Sequence, residues 1–520
     1  MFGIKKCDEI LGELRRLCTL GEFEAAASVI AELSSDMRNS ASVLNIEGVI
    51  KLKLGFTEAA IRVLDQAISL DPTYVLGFIN LANAHLKARE NEKALKACNQ
   101  GLDLEPANCS LLNVQGAIYL AQNQYDYAID SLSRALTIKP DFELAHLNIG
   151  LCYHETGKFH KAEEHYLNAL NAGRSSVEAG SNLALLYKDW GDLDRAIDIC
   201  LNLLSKHPSP KLKHTLGLLK LLEGDFISGF ELFEYRSTNT VSEGDNIPRM
   251  NQLVNDCDLK GSTVVVFAEQ GLGDTIQFSR YLLKLLALGA RVRFHCDSRM
   301  HHLFSTLSEQ LILLDVDEPP VGDCLVNIMS LPYLLQPLLH NTITYSEAVP
   351  YLRASSTISN NLRHFLAEKK IKIAVCWQGN PGKIDIGRSF QLKWLEKISR
   401  LPDVQLISVQ TGYAASQIEQ FNGQITEFGG DFDGAGSAFL DTTAVIENCD
   451  LVITSDTSVA HLAGALGCTV WLALKFVPDW RWGLHSCSTE WYPSMRLFRQ
   501  SSAGDWEPVF EAMYERIKVL

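Results

Sequence analysis

The sequence predicts an α-helical solenoid followed by an α/β region made of two successive parallel-sheet units. Three observations carry this. Small residues and prolines recur on a 34-residue lattice through the first half of the chain. From Thr263 the pattern changes to short β-branched runs alternating with amphipathic helical stretches. The alternation begins again at Ile371, which makes two series.

The lattice is regular. Gly48, Ala82, Gly116, Gly150 and Ala184 stand 34 residues apart, as do Ala60, Ala94, Ala128, Ala162 and Ala196. Pro72, Pro106, Pro140 and Pro208 follow it, with Arg174 as the exception. A leading unit has Gly21, Phe23 and Ala26, and a last unit, shifted by one residue, has Gly217, Gly229 and Phe233. This period, with two small positions and a closing proline, is the tetratricopeptide signature. Small residues let paired helices approach closely, and proline ends the second helix. The spacing predicts a right-handed solenoid of seven helical pairs over residues 1–240, with a concave groove for protein or peptide. Asn80, Asn148 and Asn182 share one position of the first helix, and Asn45 and Asn113 stand one residue earlier. They resemble the asparagine ladder that grips the acceptor peptide in eukaryotic O-GlcNAc transferases. An amide offers a donor and an acceptor. The alternative is that these residues cap or bridge neighbouring helices.

The polar stretch over 241–260 reads as a linker. Thr263–Phe267 is a buried-type strand, Glu269–Asp274 a glycine loop and Thr275–Leu288 a helix. Strands follow at 291–295, 311–314 and 324–328. The second series has a strand at 371–376, a helix at 392–399, a strand at 404–409 and a helix near 442–448. Its last unit is DLVITSDTSVAHLAGALGCTVWLAL, from Asp450 to Leu474. There a strand, a turn at Ser455-Asp456-Thr457-Ser458, a helix and a further strand follow one another. Free amides and the positive dipole end at such a helix start suit a pyrophosphate, although an ordinary N-capped helix reads the same way.

Composition narrows the function. A chain of 520 residues is too long for one core. The net charge of −15 argues against nucleic acid as a main partner. No apolar run approaches a membrane span. The opening MFGIKKCDEILGELRR lacks an apolar h-region and a cleavage site, so no signal peptide is expected. The 13 cysteines are scattered without a CxxC, which predicts reduced thiols, no zinc site and a cytoplasmic location.

Three stretches resemble heptosyltransferase-like glycosyltransferases: GLGDTIQFSRYL from Gly271, WQGNPGKIDIGRS from Trp377 and SDTSVAHLAGALG from Ser455. PDWRWGLHSCSTEWYPSMRLFRQ from Pro478 is similar to the C-terminal signature of tetratricopeptide-linked members, the bacterial protein O-glycosyltransferases of O-GlcNAc-transferase-like architecture. The resemblance implies a GT-B fold of two Rossmann-like domains, with an acceptor-side domain over 261–352 and a nucleotide-sugar-binding domain over 353–520. It implies a metal-independent, inverting transfer that needs no cofactor beyond the nucleotide-sugar co-substrate. About 90 residues is short for the acceptor-side domain, so the solenoid is expected to complete the acceptor subsite.

The roles follow in the same terms. Asp274 corresponds to the catalytic base, with Gly271 and Gly273 leaving space beside it; the structural alternative is a helix cap. Glu269 is the next candidate base. Arg388 is placed to bind the donor diphosphate bidentately, beside Ser389, with Lys383 a weaker candidate and Asp385 orienting Arg388. The alternative is a surface ion pair. Ser455, Thr457 and Ser458 form the phosphate cradle, and Asp456 is a cap or ribose contact. His461 faces the donor or is structural. Trp377, Gly379 and Asn380 close the other wall. Trp480, Arg481 and Trp482 line the cleft or fill the core. Two other functions fit the sequence: a repeat scaffold or assembly protein with an inactive transferase domain, and a glycolipid or lipopolysaccharide-core transferase.

Overall fold

The computed structural model describes residues 2–172, 176–236, 259–338, 343–344, 346–354, 370–380, 387–429, 432–434 and 436–520. The expected linker lies outside these residues except for Leu259 and Lys260, and so do Arg174, Lys383 and Asp385. Two compact units divide the chain, Met1–Leu186 and Tyr187–Leu520.

The first unit is helical. Its regular pairs are Ala41–Lys53 with Thr57–Leu70, Val75–Lys87 with Asn91–Leu104, Cys109–Ala121 with Tyr125–Ile138, and Glu143–Glu155 with Phe159–Ala172. The lattice glycines have a steric cause. A Cβ on Gly48 would lie 2.5 Å from Leu64 Cγ, one on Gly116 2.4 Å from Leu132 Cγ, and one on Gly150 2.6 Å from Tyr166 Cδ1. In each pair the first helix has no room for a methyl group where the second crosses it. Gly12, in the helix Phe2–Leu20, faces open space. Gly12→Ala should therefore raise stability by about 0.5–1 kcal/mol through helix propensity. Gly116→Ala should lower it by about 1–3 kcal/mol through overpacking. Thermal melts of the two variants check the contrast, and equal shifts would contradict it.

Four of the asparagines bridge successive repeats. Asn80 Nδ2 donates to Asn45 Oδ1 at 2.8 Å, and Asn148 Nδ2 donates to Asn113 Oδ1 at 3.0 Å. Asn45 and Asn113 are buried, while Asn80, Asn148 and Asn182 are half-buried. Part of the amide capacity expected for a peptide is thus used between helices.

The second unit begins with helical segments, Leu193–Lys206, Pro210–Glu223 and Phe226–Phe233, and continues into two parallel sheets. The first sheet comprises β1 (Thr263–Phe267), β2 (Arg291–His295), β3 (Ile312–Leu314) and β4 (Cys324–Asn327), in the order β3-β2-β1-β4. The second comprises β5 (Ile371–Cys376), β6 (Val404–Ser408), β7 (Leu451–Ser455), β8 (Val470–Leu474) and β9 (Met495–Arg499), in the order β6-β5-β7-β8-β9. All adjacent strands are parallel. The expected helix over 275–288 is broken at Ser279 into Leu272–Phe278 and Arg280–Ala287. The strand β9 and the terminal helix Glu507–Ile517 were not expected from the sequence.

Two buried arginines pin this unit together. Arg236, after the last repeat helix, donates to both oxygens of Glu269 at 2.7 and 3.1 Å and to Ser330 Oγ at 2.8 Å. Arg280 is fully buried and donates to the carbonyls of Gln277, Thr344 and Trp491. Leu221, Leu222, Phe230 and Phe233 share one apolar core with β1, β2, β4, β7 and β8. The last repeat helices are therefore part of the α/β core.

Candidate functional site

Strand order locates the site before any side chain is considered. In open parallel sheets, ligands bind beyond the strands' carboxyl ends where the strand order reverses. In the second sheet that point lies between β5 and β7, in the first between β1 and β4. The segments there are Gly271–Asp274 after β1, Trp377–Asn380 after β5 and Ser455–Ser458 at the end of β7. The helix Leu272–Phe278 packs on the helix Ser458–Ala465, which joins the two reversal points. Gly273 is needed for that approach, because a Cβ there would lie 2.9 Å from His461 Cδ2 and 3.4 Å from Ser458 Cα.

Asp274 sits in the first turn of its helix and accepts the Gly271 N–H at 3.0 Å. Its other oxygen pairs with Arg481. Its side chain is 20% exposed, so a substrate can still reach it. Burial raises its pKa above the ordinary carboxylate value, opposed by the Arg481 charge and the Gly271 N–H. A carboxylate tuned upward in this way is a better proton acceptor. Arg481 also donates to Asp479 Oδ1 at 2.8 Å and to Gln277 Oε1 at 2.5 Å, and stacks over Trp480 at 4.3 Å.

Thr457 occupies the N-cap position of Ser458–Ala465, yet no side chain caps that helix. Its hydroxyl instead lies 3.1 Å from that of Thr454. Ser455 Oγ is buried with no hydrogen-bond partner among the described residues. Arg388 closes the other side: a Cβ on Gly379 would meet Arg388 Nη2 at 2.5 Å and Thr457 Cγ2 at 3.5 Å. The Gly379 N–H donates to Ser389 Oγ at 3.2 Å. Asn380 is exposed beside them.

His461 is buried, lies 3.0 Å from Tyr492 Oη through Nδ1 and stacks on Trp482. Burial, with the charges of Arg481, Arg280 and Arg388, holds it well below its ordinary range, so it is neutral at pH 7. Asp456 is pushed up to about 6 by burial and by the Asp479 carboxylate, against Arg388 and Arg481. The folded state therefore holds this proton more tightly than the unfolded chain. The group adds stability as pH falls from about 6 towards about 4 and costs stability at higher pH. Asp456→Asn should gain on the order of 3 kcal/mol relative to the parent at pH 8, at ~1.4 kcal/mol per unit. The gain should shrink towards pH 4. Paired melts at the two pH values check this, and a gain independent of pH would contradict it.

Two expected residues are placed elsewhere. Trp377 is fully buried in the core with Ile373, Val375 and Phe390, so its ring does not line the site. Glu269 is fully engaged by Arg236 and the Met329 N–H, which makes it structural rather than a free base. Asp479 is the charged partner that sequence reasoning missed; its place two residues before Arg481, at the start of a short helical turn, is the only signal. Within the two α/β series Asp-x-Asp sequences occur at 315–317 and 431–433, but Asp433 is held by the Asp441 and Thr442 amides. Among the described residues, no group of three or more His, Cys, Asp or Glu is placed to hold a metal ion. Among them, too, no helix is long and apolar enough to cross a membrane.

The tetratricopeptide-repeat family matches this chain over residues 47–108 and 144–172, and the TPR-repeat family over 116–157. With the helical pairs described above, this shows tetratricopeptide repeats in the N-terminal region, followed by an α/β region. Protein FlbA of Caulobacter vibrioides is 21% identical over 504 residues, which cover 89% of this chain and 82% of FlbA. A segment of 137 residues is 28% identical to Protein O-mannosyl-transferase TMTC1 of Mus musculus, covering 26% of this chain but only 14% of that protein. A thermophilic TPR protein of Thermus thermophilus matches 35% of this chain and 99% of its own, at 24% identity and a TM-score of 0.33.

Proposed function

We propose that this chain is a metal-independent, inverting glycosyltransferase of GT-B architecture. It moves a sugar from a nucleotide-sugar donor to a protein acceptor recruited by the repeats. The observation that carries the reading is the convergence of Asp274, Arg388 and the uncapped Ser458–Ala465 helix start at the two reversal points of parallel sheets. Such a transfer needs a base for the acceptor hydroxyl and positive groups on the departing pyrophosphate. Asp274 takes the proton. Arg388 and the amides at Ser458 and Val459 hold the diphosphate, with the Ser455 hydroxyl as a further donor. His461, being neutral, adds no charge to compete with them. Asp456 contacts the donor ribose. The location expected for such a protein is the cytoplasm, where nucleotide sugars are made.

Removing a charge-assisted contact gives the test. Arg388→Ala should weaken nucleotide-sugar binding by about 1.5–3 kcal/mol. Calorimetric titration of parent and variant with the same donor measures this directly, and equal affinities would remove Arg388 from the donor site.

A further inference from the structure

The second unit contains a cavity of about 930 Å³ between its repeat helices and the segment that follows β8. That is at the upper end of the roughly 300–1,000 Å³ typical of ligand cavities. We propose that it holds the acceptor polypeptide and selects a Ser- or Thr-bearing segment flanked by lysine or arginine. This rests on the transferase reading above and names the acceptor's chemistry.

The cavity and the candidate site share a wall. Trp480, Arg481 and Trp482 line the cavity, while Arg481 pairs with Asp274 and the Trp482 ring stacks on His461 on the far side. A chain lying in the cavity is thus one side chain away from the proposed base. The charge of the opening is negative. Asp194, Glu223 and Glu490 line it and are exposed. The guanidinium of Arg481 is turned inward, with its side chain 8% exposed and committed to Asp274, Asp479 and Gln277. Arg195 is paired with Asp192 at 2.6 Å, and the Glu223 carboxylate takes Lys220 at 2.7 Å. His485, also exposed at the opening, is the remaining basic group there. A cationic segment satisfies the spare carboxylates of Asp194 and Glu490. A glycan fits less well. Trp480 and Trp482 are almost wholly buried, and Trp190 is stacked with Tyr187, so no open ring face is offered to a sugar.

Fluorescence anisotropy with two labelled peptides tests this. Both carry a central serine, one flanked by lysines and the other by glutamates. The full-length parent should bind the lysine peptide at least about tenfold more tightly at low salt. Asp194→Lys with Glu490→Lys should abolish that preference, and Asp194→Asn with Glu490→Gln should reduce it. Thermal stabilisation by a nucleotide sugar should stay at the parent level in both variants, which also shows that they fold. Equal binding of the two peptides by the parent, or an unchanged preference in the charge-reversed variant, overturns the proposal. The readout does not depend on transfer. Selective peptide binding without any sugar transferred upholds the acidic peptide site and counts against the transferase reading instead.

Discussion

Asp274→Asn should leave nucleotide-sugar affinity within about threefold of the parent while sugar transfer falls by 10²-fold or more, on the order of a lost general base. The substitution is nearly isosteric. An amide oxygen still accepts the Gly271 N–H, and Arg481 keeps Asp479 and Gln277. What disappears is the basic lone pair and its charge. Because burial raises the pKa of Asp274, the acid limb of the parent's pH–rate profile should lie above the ordinary aspartate value of about 4. Steady-state kinetics with donor binding measured separately decides the matter. Turnover at the parent level in the Asn variant would show that another group takes the proton.

Arg280→Met should cost about 2–4 kcal/mol of stability, a large loss for a substitution remote from any ligand. The guanidinium is fully buried and has no carboxylate partner among the described residues. It is held by carbonyl oxygens at 2.8–3.0 Å and by the rings of Tyr351 and Tyr492 at 4.9 and 4.8 Å. Methionine fills part of the volume but leaves the Thr344 and Trp491 carbonyls without their donor. The relief from no longer burying a charge offsets some of that loss, which is why the expected figure is not larger. Lysine should recover less than half, because one ammonium cannot reproduce the planar fork. Urea unfolding of the two variants measures the difference. Midpoints unchanged from the parent would show that these contacts carry no net weight.

These two residues illustrate what the sequence can and cannot tell. Both belong to one motif, GLGDTIQFSRYL, and the motif alone does not separate a group that faces the cleft from one that ties the cleft's walls together. Only the fold does so, since Arg280 reaches Trp491 more than two hundred residues away. The repeat lattice was legible because each small residue meets a partner in the same helical pair, such as Gly116 and Leu132, and local packing leaves a periodic trace. Strands such as β1, β7 and β8 were legible because both faces are covered and the run is apolar or β-branched. The strand β9 was not: Met495-Arg496-Leu497-Phe498-Arg499 lies at the sheet edge and carries two arginines. The break at Ser279 escaped notice because the apolar period runs through it. The Arg236–Glu269 pair was invisible for the same reason as Arg280, its partners being far apart in the chain. Trp377 looked like a wall of the site because it follows a strand's carboxyl end, yet its side chain turns into the core.

The central claim is that the two reversal points form a nucleotide-sugar site. The most direct measurement is release of the nucleoside diphosphate from a panel of nucleotide sugars, incubated with the full-length protein in EDTA and without an acceptor. The account predicts slow release from one donor or a narrow group of donors, undiminished by the chelator and lost in the Asp274→Asn, Arg388→Ala double variant. No release from any donor in the panel, or the same release from the double variant, would contradict it.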